Sequence, residues 1–148
     1  MIDSTAVEAR LAAGDLCLTK SPNGDLLRVV DAARRARPES RLRYAVPAEG
    51  GLLWVDVLVI PRGAPHPDAA YRFLDHLLEP EVAAEITDAS RYASANRAAD
   101  PYVAAGLRND PGVYPPPEIR ARLRPMPAET EAFARARTRM WTRVRAAR

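Results

Sequence analysis

The sequence is poor in the side chains that hold metals or form disulfides. Cys17 is its only cysteine, and His66 and His76 are its only histidines. A single cysteine forms neither an intramolecular disulfide nor a thiolate cluster for zinc, and the two histidines lack metal-ligand spacing. Because Cys17 lies within the apolar run Leu16–Leu18, we expect a buried structural thiol there. No metal or other cofactor is expected.

Motifs of catalytic chemistry are also missing. Neither histidine stands near an obvious nucleophile, so we expect both on the surface. Gly50 and Gly51 form an isolated pair that matches neither dinucleotide-binding nor P-loop spacing. The sequence therefore predicts no enzyme activity.

Long apolar stretches are absent as well. No run approaches the roughly 18 apolar residues of a membrane-spanning helix. Residues 1–5 have neither the basic head nor the apolar core of a secretory signal peptide. The sequence as written therefore predicts a chain that does not span a membrane and that stays in the cytoplasm if it is expressed in this form.

Lysine is nearly absent: Lys20 is the only one among 22 basic residues, against 19 acidic ones. The arginines are concentrated after Arg120, which leaves open an interaction with nucleic acid and predicts salt-dependent retention on DNA. These arginines alternate with an apolar helical stripe and are not interleaved with aromatic residues. We therefore interpret them as a solvated helix face and expect no nucleic-acid partner.

The 148 residues are 47% hydrophobic, which suits one globular domain. The 14 prolines predict many interrupted helices and strands. Apolar spacing and stop signals predict five main helices. They cover residues 4–13 before Gly14 and residues 26–33 before Pro38. Pro67 opens a third segment, with Phe73 and Leu77 on its core face, and Pro80 opens a fourth, with Val82, Ala83 and Ile86 inward. A last helix from about Ala128 carries one stripe made of Phe133, Arg137, Met140, Trp141 and Val144. Residues 100–127 are expected to be an ordered surface excursion with short helical pieces.

Three segments are strand candidates: residues 16–19, 42–46 and 52–60. Strands that alternate with helices predict an α/β fold with a partly parallel sheet. The helices outnumber the strands they would cover, which suggests that part of the fold lies outside this chain.

Asp56 is the only charged residue in the apolar run 52–60. A carboxylate is costly to bury there without a cationic or hydrogen-bonding partner. Trp54 lies two residues away and so points to the same side of a strand. An aromatic face beside a carboxylate suits an alkylammonium ion. The pattern alone favours the alternative, in which Asp56 caps a neighbouring backbone or pairs with one of the arginines.

Several segments resemble one family in order along the chain. They are Glu49–Pro61, Ala69–Ala83, Tyr92–Ala99, Asn109–Pro116 and Arg137–Val144. The first resembles the hinge-crossing strand of bacterial putrescine- and spermidine-binding proteins of ABC importers, the second a helix of that family with a Leu-Leu-x-Pro-x-Val-Ala end, and the third its tyrosine-bearing loop. The resemblance implies the C-terminal portion of a two-lobed α/β protein with the type II periplasmic-binding-protein fold.

The resemblance also implies a division of the chain and a ligand site. Residues 1–50 correspond to part of the second lobe, residues 51–61 to the hinge-crossing strand, and residues 62–148 to the helical part that returns to the first lobe. By position, Asp56 and Asp25 resemble acidic ligand contacts, and Trp54 and Tyr92 resemble aromatic walls around a polyamine. Pro22 stands where the family pattern has an aromatic residue, which affects affinity or ligand choice.

The partners implied by this resemblance are a polyamine ligand and the permease of an ABC transporter, and the implied location is the periplasm. The alternative is an interaction protein that docks a separate N-terminal lobe, or that associates with itself, without binding ligand alone.

Overall fold

A computed structural model describes residues 4–146. The main helices are α1 (Ser4–Ala13), α2 (Asn23–Ala36), α3 (Pro67–Leu77), α4 (Pro80–Ser90) and α7 (Glu131–Ala146), with a 3₁₀ turn at Arg97–Ala99 and short helices α5 (Ala105–Arg108) and α6 (Pro117–Arg120). Two short strands, β1 (Leu52–Leu53) and β2 (Arg124–Pro125), form a parallel pair. The α/β class is confirmed, although helices dominate this portion of the fold.

One face of α2 packs against α1. Leu11 of α1 is buried against Leu26 and Val29 of α2. Arg37, just after α2, fixes the end of α1 by donating a hydrogen bond of 2.9 Å to the carbonyl of Ala13. The first helix ends where the sequence predicts, since Gly14 takes the positive φ of 88° that a glycine allows.

The opposite face of α2 packs against α4 and the segment that follows it. Leu27 shares a core with Ala83 and Ala84 of α4 and with four later apolar residues. These are Ala99, Val103, Leu107 and Val113. The predicted surface excursion therefore contributes core residues. The side chain of Asn23 adds a hydrogen bond of 3.0 Å to the carbonyl of Gly112, so α2 is fastened on both faces.

Prolines open α3 and α4 as predicted, because the missing N–H costs nothing in the first helical turn. The buried residues of α4 are Ala83, Ala84 and Thr87, whereas Ile86 is exposed, so the predicted inward position of Ile86 was wrong. α3 packs on α4 but buries none of its residues. The apolar face predicted for α3 exists, but the described residues cover it only in part, since Leu77 is half-buried and Phe73 is exposed.

The predicted strands are mostly absent from the described chain. Residues 16–19 and 42–46 form no strand, and residues 52–60 pair only at Leu52 and Leu53. The pair is held by hydrogen bonds of 2.9 Å from the Arg124 N–H to the Gly51 carbonyl and from the Met126 N–H to the Leu53 carbonyl. A strand needs a neighbouring backbone, and within residues 4–146 these segments lack one.

Cys17 is exposed, so the prediction of a buried thiol was wrong. The apolar run around it predicted burial, but the segment joins no sheet in the described chain, and Leu18 beside it is 88% exposed. Both histidines are on the surface, as predicted.

Two long apolar surfaces are open. Residues 52–59 expose side chains on both faces of the segment, with Val57 and Val59 the most exposed. A segment that is apolar on both faces is typical of a central strand of a parallel sheet. In α7 the predicted stripe is present, but Phe133, Met140 and Trp141 are exposed and the helix buries no residue.

Candidate functional site

Asp25 and Tyr92 are brought together at the junction of α2 and α4. Asp25 lies in the first turn of α2, and Tyr92 follows the end of α4. The Tyr92 ring rests against Gly24, where a Cβ would lie 2.4 Å from Cε2 of the ring. Besides partial burial, the charge of Asp25 raises the pKa of the Tyr92 hydroxyl, so this carboxylate lies beside an aromatic residue, as a receptor for an organic cation requires.

The position of Tyr92 depends on how α4 ends. Arg91 adopts the left-handed conformation, with φ 64°, and its N–H donates to the Thr87 carbonyl at 2.8 Å. The guanidinium of Arg91 reaches back to α2 and pairs with Asp31 at 3.0 Å. The chain therefore turns sharply and leaves α4 toward the start of α2.

Arg28 is a member of this site that the sequence reasoning missed. Its Nη2 lies 2.6 Å from Oδ1 of Asp25, and its Nη1 donates to the Ser90 carbonyl at 2.8 Å. The spacing of Asp25 and Arg28 on α2, three residues apart, is a signal that could have found this pair. The carboxylate predicted to receive a ligand ammonium thus already faces a cation.

The hydroxyl of Tyr92 has a raised pKa. Partial burial raises the pKa of its hydroxyl above the ordinary value of 10.0, and the negative charge of Asp25 raises it further. The positive charge of Arg28 acts in the opposite direction. Tyr92 is therefore neutral around pH 7 and can donate a hydrogen bond.

The other two predicted site residues, Trp54 and Asp56, belong to a different segment of the chain. Both are exposed in the segment after β1. Among residues 4–146 the Asp56 carboxylate makes neither a hydrogen bond nor an ion pair, so the internal pairing considered as its alternative role is not seen there. No hydrogen bond, ion pair or apolar cluster of the described chain joins Trp54 or Asp56 to Asp25 or Tyr92.

An open groove of about 310 Å³ runs between α1 and α2 beside Asp25. Its walls are Glu8, Ala9, Ala12, Asp25, Arg28, Val29 and Ala32. The groove is mainly apolar, with acidic and basic groups at its edge. The Asp25 carboxylate is therefore accessible to a small solute.

Metal-ligand clusters and membrane-spanning helices are both absent from the described part of the chain. Residues 4–146 contain no cluster of three histidine, cysteine or acidic side chains that could hold a metal ion. None of the helices in that range is both long and apolar enough to cross a membrane.

Residues 3–114 match the family of bacterial extracellular solute-binding proteins. This match spans most of the chain, and the chain belongs to that family. The resemblance read from the sequence is thereby confirmed at the level of the family, and the α/β fold class agrees with it.

Three relatives indicate which members of the family the chain resembles. The chain is 39% identical, over 91% of its length, to the putrescine-binding periplasmic protein PotF of Escherichia coli, and 35% identical, over 91%, to the putrescine-binding periplasmic protein SpuD of Pseudomonas aeruginosa. It is 34% identical, over 97% of its length, to the putrescine/agmatine-binding protein of P. aeruginosa. The chain spans 36%, 37% and 39% of these relatives, respectively. All three are binding proteins.

Proposed function

We propose that this chain contributes to a polyamine-binding site of an ABC-type import system, with putrescine as the ligand class. The observation that carries the proposal is the closeness of the Asp25 carboxylate to Tyr92, whose ring lies on Gly24, in a chain whose relatives are putrescine-binding proteins. A carboxylate pairs with an ammonium group, and a neighbouring aromatic ring adds cation–π attraction and covers the alkyl chain.

A linear diamine has two charged ends, so a complete site needs two anionic positions. We propose Asp25 with Tyr92 for one end and Asp56 with Trp54 for the other. Asp56 is exposed and makes no internal ion pair among residues 4–146, so its charge is available to a ligand. Pro22 precedes Asp25 in the position of an aromatic residue, which leaves Tyr92 as the aromatic group beside that carboxylate.

The proposed division of the chain follows the same resemblance. Residues 1–50 belong to the second lobe, residues 51–61 to the hinge-crossing strand, and residues 62–148 to the helical part that returns to the first lobe. In this division Asp25 and Asp56 lie in different parts, so closure of the lobes would bring them to one ligand. The permease of an ABC transporter is the proposed partner, and the periplasm is the proposed location.

A second function is favoured by the open apolar segment 52–59. Patches of this kind mark interaction surfaces, and the chain would then dock another polypeptide, or a second copy, without binding ligand alone. The two functions can be distinguished, because only the first requires that the chain bind an organic cation.

Calorimetric titration of the full chain separates them. Putrescine is compared with the uncharged diol of the same carbon chain, while size-exclusion chromatography establishes that the protein is folded. Saturable heat with putrescine and none with the diol supports the proposed function. A folded chain that responds to neither contradicts ligand binding by this chain and favours the interaction function.

A further inference from the structure

The Asp25 carboxylate already forms an ion pair with Arg28 of the same helix. Arg28 lies one helical turn further along α2 and places Nη2 2.6 Å from the Asp25 carboxylate. The other arm of the same guanidinium donates to the Ser90 carbonyl at 2.8 Å, two residues before Tyr92. The guanidinium thus occupies the position beside Asp25 and Tyr92 in which a ligand ammonium would make its charged contact.

The Arg28 guanidinium can leave this position at little cost. Its side chain is 48% exposed, against 29% for that of Asp25. An ion pair exposed to this degree contributes little free energy, since water and salt screen the charges. A displaced Arg28 stays hydrated, and its second hydrogen bond to Ser90 does not depend on Asp25.

We propose that Arg28 is an internal cation that competes with the ligand ammonium for the Asp25 carboxylate and so lowers the affinity of the site. This inference rests on the proposed function, because it assigns Asp25 to the ligand site. Each binding event then first breaks the Arg28–Asp25 ion pair. The chain therefore binds diamines more weakly than the same site would bind them without Arg28. The effect is confined to ligands whose cationic end reaches Asp25.

The test compares putrescine affinity in the unmodified chain and in five variants by calorimetric titration. Arg28→Gln removes the charge and keeps a donor for the Ser90 carbonyl. Arg28→Lys keeps the charge. Arg34→Gln removes an exposed arginine of the same helix and is the matched control for net charge. Asp25→Asn removes the carboxylate, and the double variant Arg28→Gln with Asp25→Asn removes both partners.

Arg28→Gln is expected to bind putrescine about two- to fivefold more tightly, which is the range of an exposed ion pair. Arg28→Lys and Arg34→Gln are expected to remain within about twofold of the unmodified chain. Adding Arg28→Gln to Asp25→Asn is expected to bring no gain over Asp25→Asn alone, because no carboxylate remains to compete for.

Affinity that is unchanged or weaker in Arg28→Gln, in a chain that does bind putrescine, overturns the competition and leaves the proposed function standing. An equal gain in Arg34→Gln also overturns it, since the effect would then come from net charge alone. If no variant binds putrescine, Arg28→Gln included, both the proposed function and the competition are contradicted.

A readout without ligand checks that the pair exists in solution. The charge of Arg28 lowers the pKa of the Tyr92 hydroxyl, so Arg28→Gln is expected to raise it. Titration of tyrosinate absorbance, with Tyr92→Phe to identify the signal, measures this change. A Tyr92 titration that is unaffected by Arg28→Gln contradicts the position of the guanidinium and overturns the inference.

Discussion

The ring of Tyr92 lies on Gly24 so closely that there is no room for a side chain between them. A Cβ at residue 24 would approach Cε2 of the ring to 2.4 Å and the Ser90 carbonyl oxygen to 2.7 Å. The first of these neighbours is a side chain that can move, but the second is backbone. Gly24 therefore sets how near Tyr92 comes to Asp25, and the site depends on a residue that contributes no functional group of its own.

Gly24→Ala is expected to lower the free energy of unfolding by about 1–3 kcal/mol, because overpacking against the Ser90 carbonyl outweighs the helix preference of alanine. Urea unfolding measures the change. Gly106→Ala is the matched control, since a Cβ there meets nothing within 4 Å and Gly106 also lies in a helix. Equal stability of the Gly24 variant and the control would contradict the close approach.

The pKa of the Tyr92 hydroxyl is expected to depend on the charge of Asp25. Its pKa is raised, so the folded state holds the phenolic proton more tightly than the unfolded state does. Its contribution to stability is fully present below pH 10.0 and is lost as the pH rises through the raised pKa. Asp25→Asn is expected to lower the pKa of Tyr92 while leaving the raised pKa of Tyr44, which comes from burial alone.

Titration of tyrosinate absorbance tests this expectation, with Tyr92→Phe and Tyr44→Phe identifying the two late signals. A Tyr92 signal that is indifferent to Asp25→Asn would show that the carboxylate does not face the ring.

The apolar segment after β1 is expected to promote self-association. Val59 is 78% exposed within a run of exposed apolar residues, whereas Leu18 is an exposed apolar residue outside it. Val59→Lys is expected to weaken association about tenfold, or ~1.4 kcal/mol, because a charge would be buried at the contact. Sedimentation over a range of protein concentrations measures it.

Leu18→Lys introduces the same charge at a similarly exposed position and is expected to leave association unchanged. Equal effects of the two substitutions would assign the change to solubility in general, and the segment would then not be the contact.

Much of the helical structure could be predicted from local signals. Pro67 and Pro80 open their helices and Gly14 ends α1, since each of these residues acts through its own backbone and needs no distant partner. The strands were less predictable. Residues 42–46 have the composition of a strand, but a strand exists only with a neighbour, and pairing in the described chain is limited to Leu52 and Leu53.

Burial was the least predictable property. Apolar spacing correctly indicated the stripe on α7 that contains Trp141, but spacing shows which face is apolar and not what covers it. Cys17 was misassigned for the same reason. At the candidate site, the likeness of Asp25 and Tyr92 to the family's contacts came from position, whereas Arg28 went unnoticed because an arginine on a polar helix face is usually only solvated.

If carboxylates of this chain receive the charged ends of a diamine, removal of the Asp56 charge weakens diamine binding. The measurement is the putrescine affinity of Asp56→Asn, by calorimetric titration of the full chain, beside Asp75→Asn, which neutralises an exposed carboxylate in α3. Asp56→Asn is expected to weaken binding by about 2 kcal/mol or more, while Asp75→Asn changes it little. Equal affinities of the two variants would contradict the role proposed for Asp56 in binding the diamine.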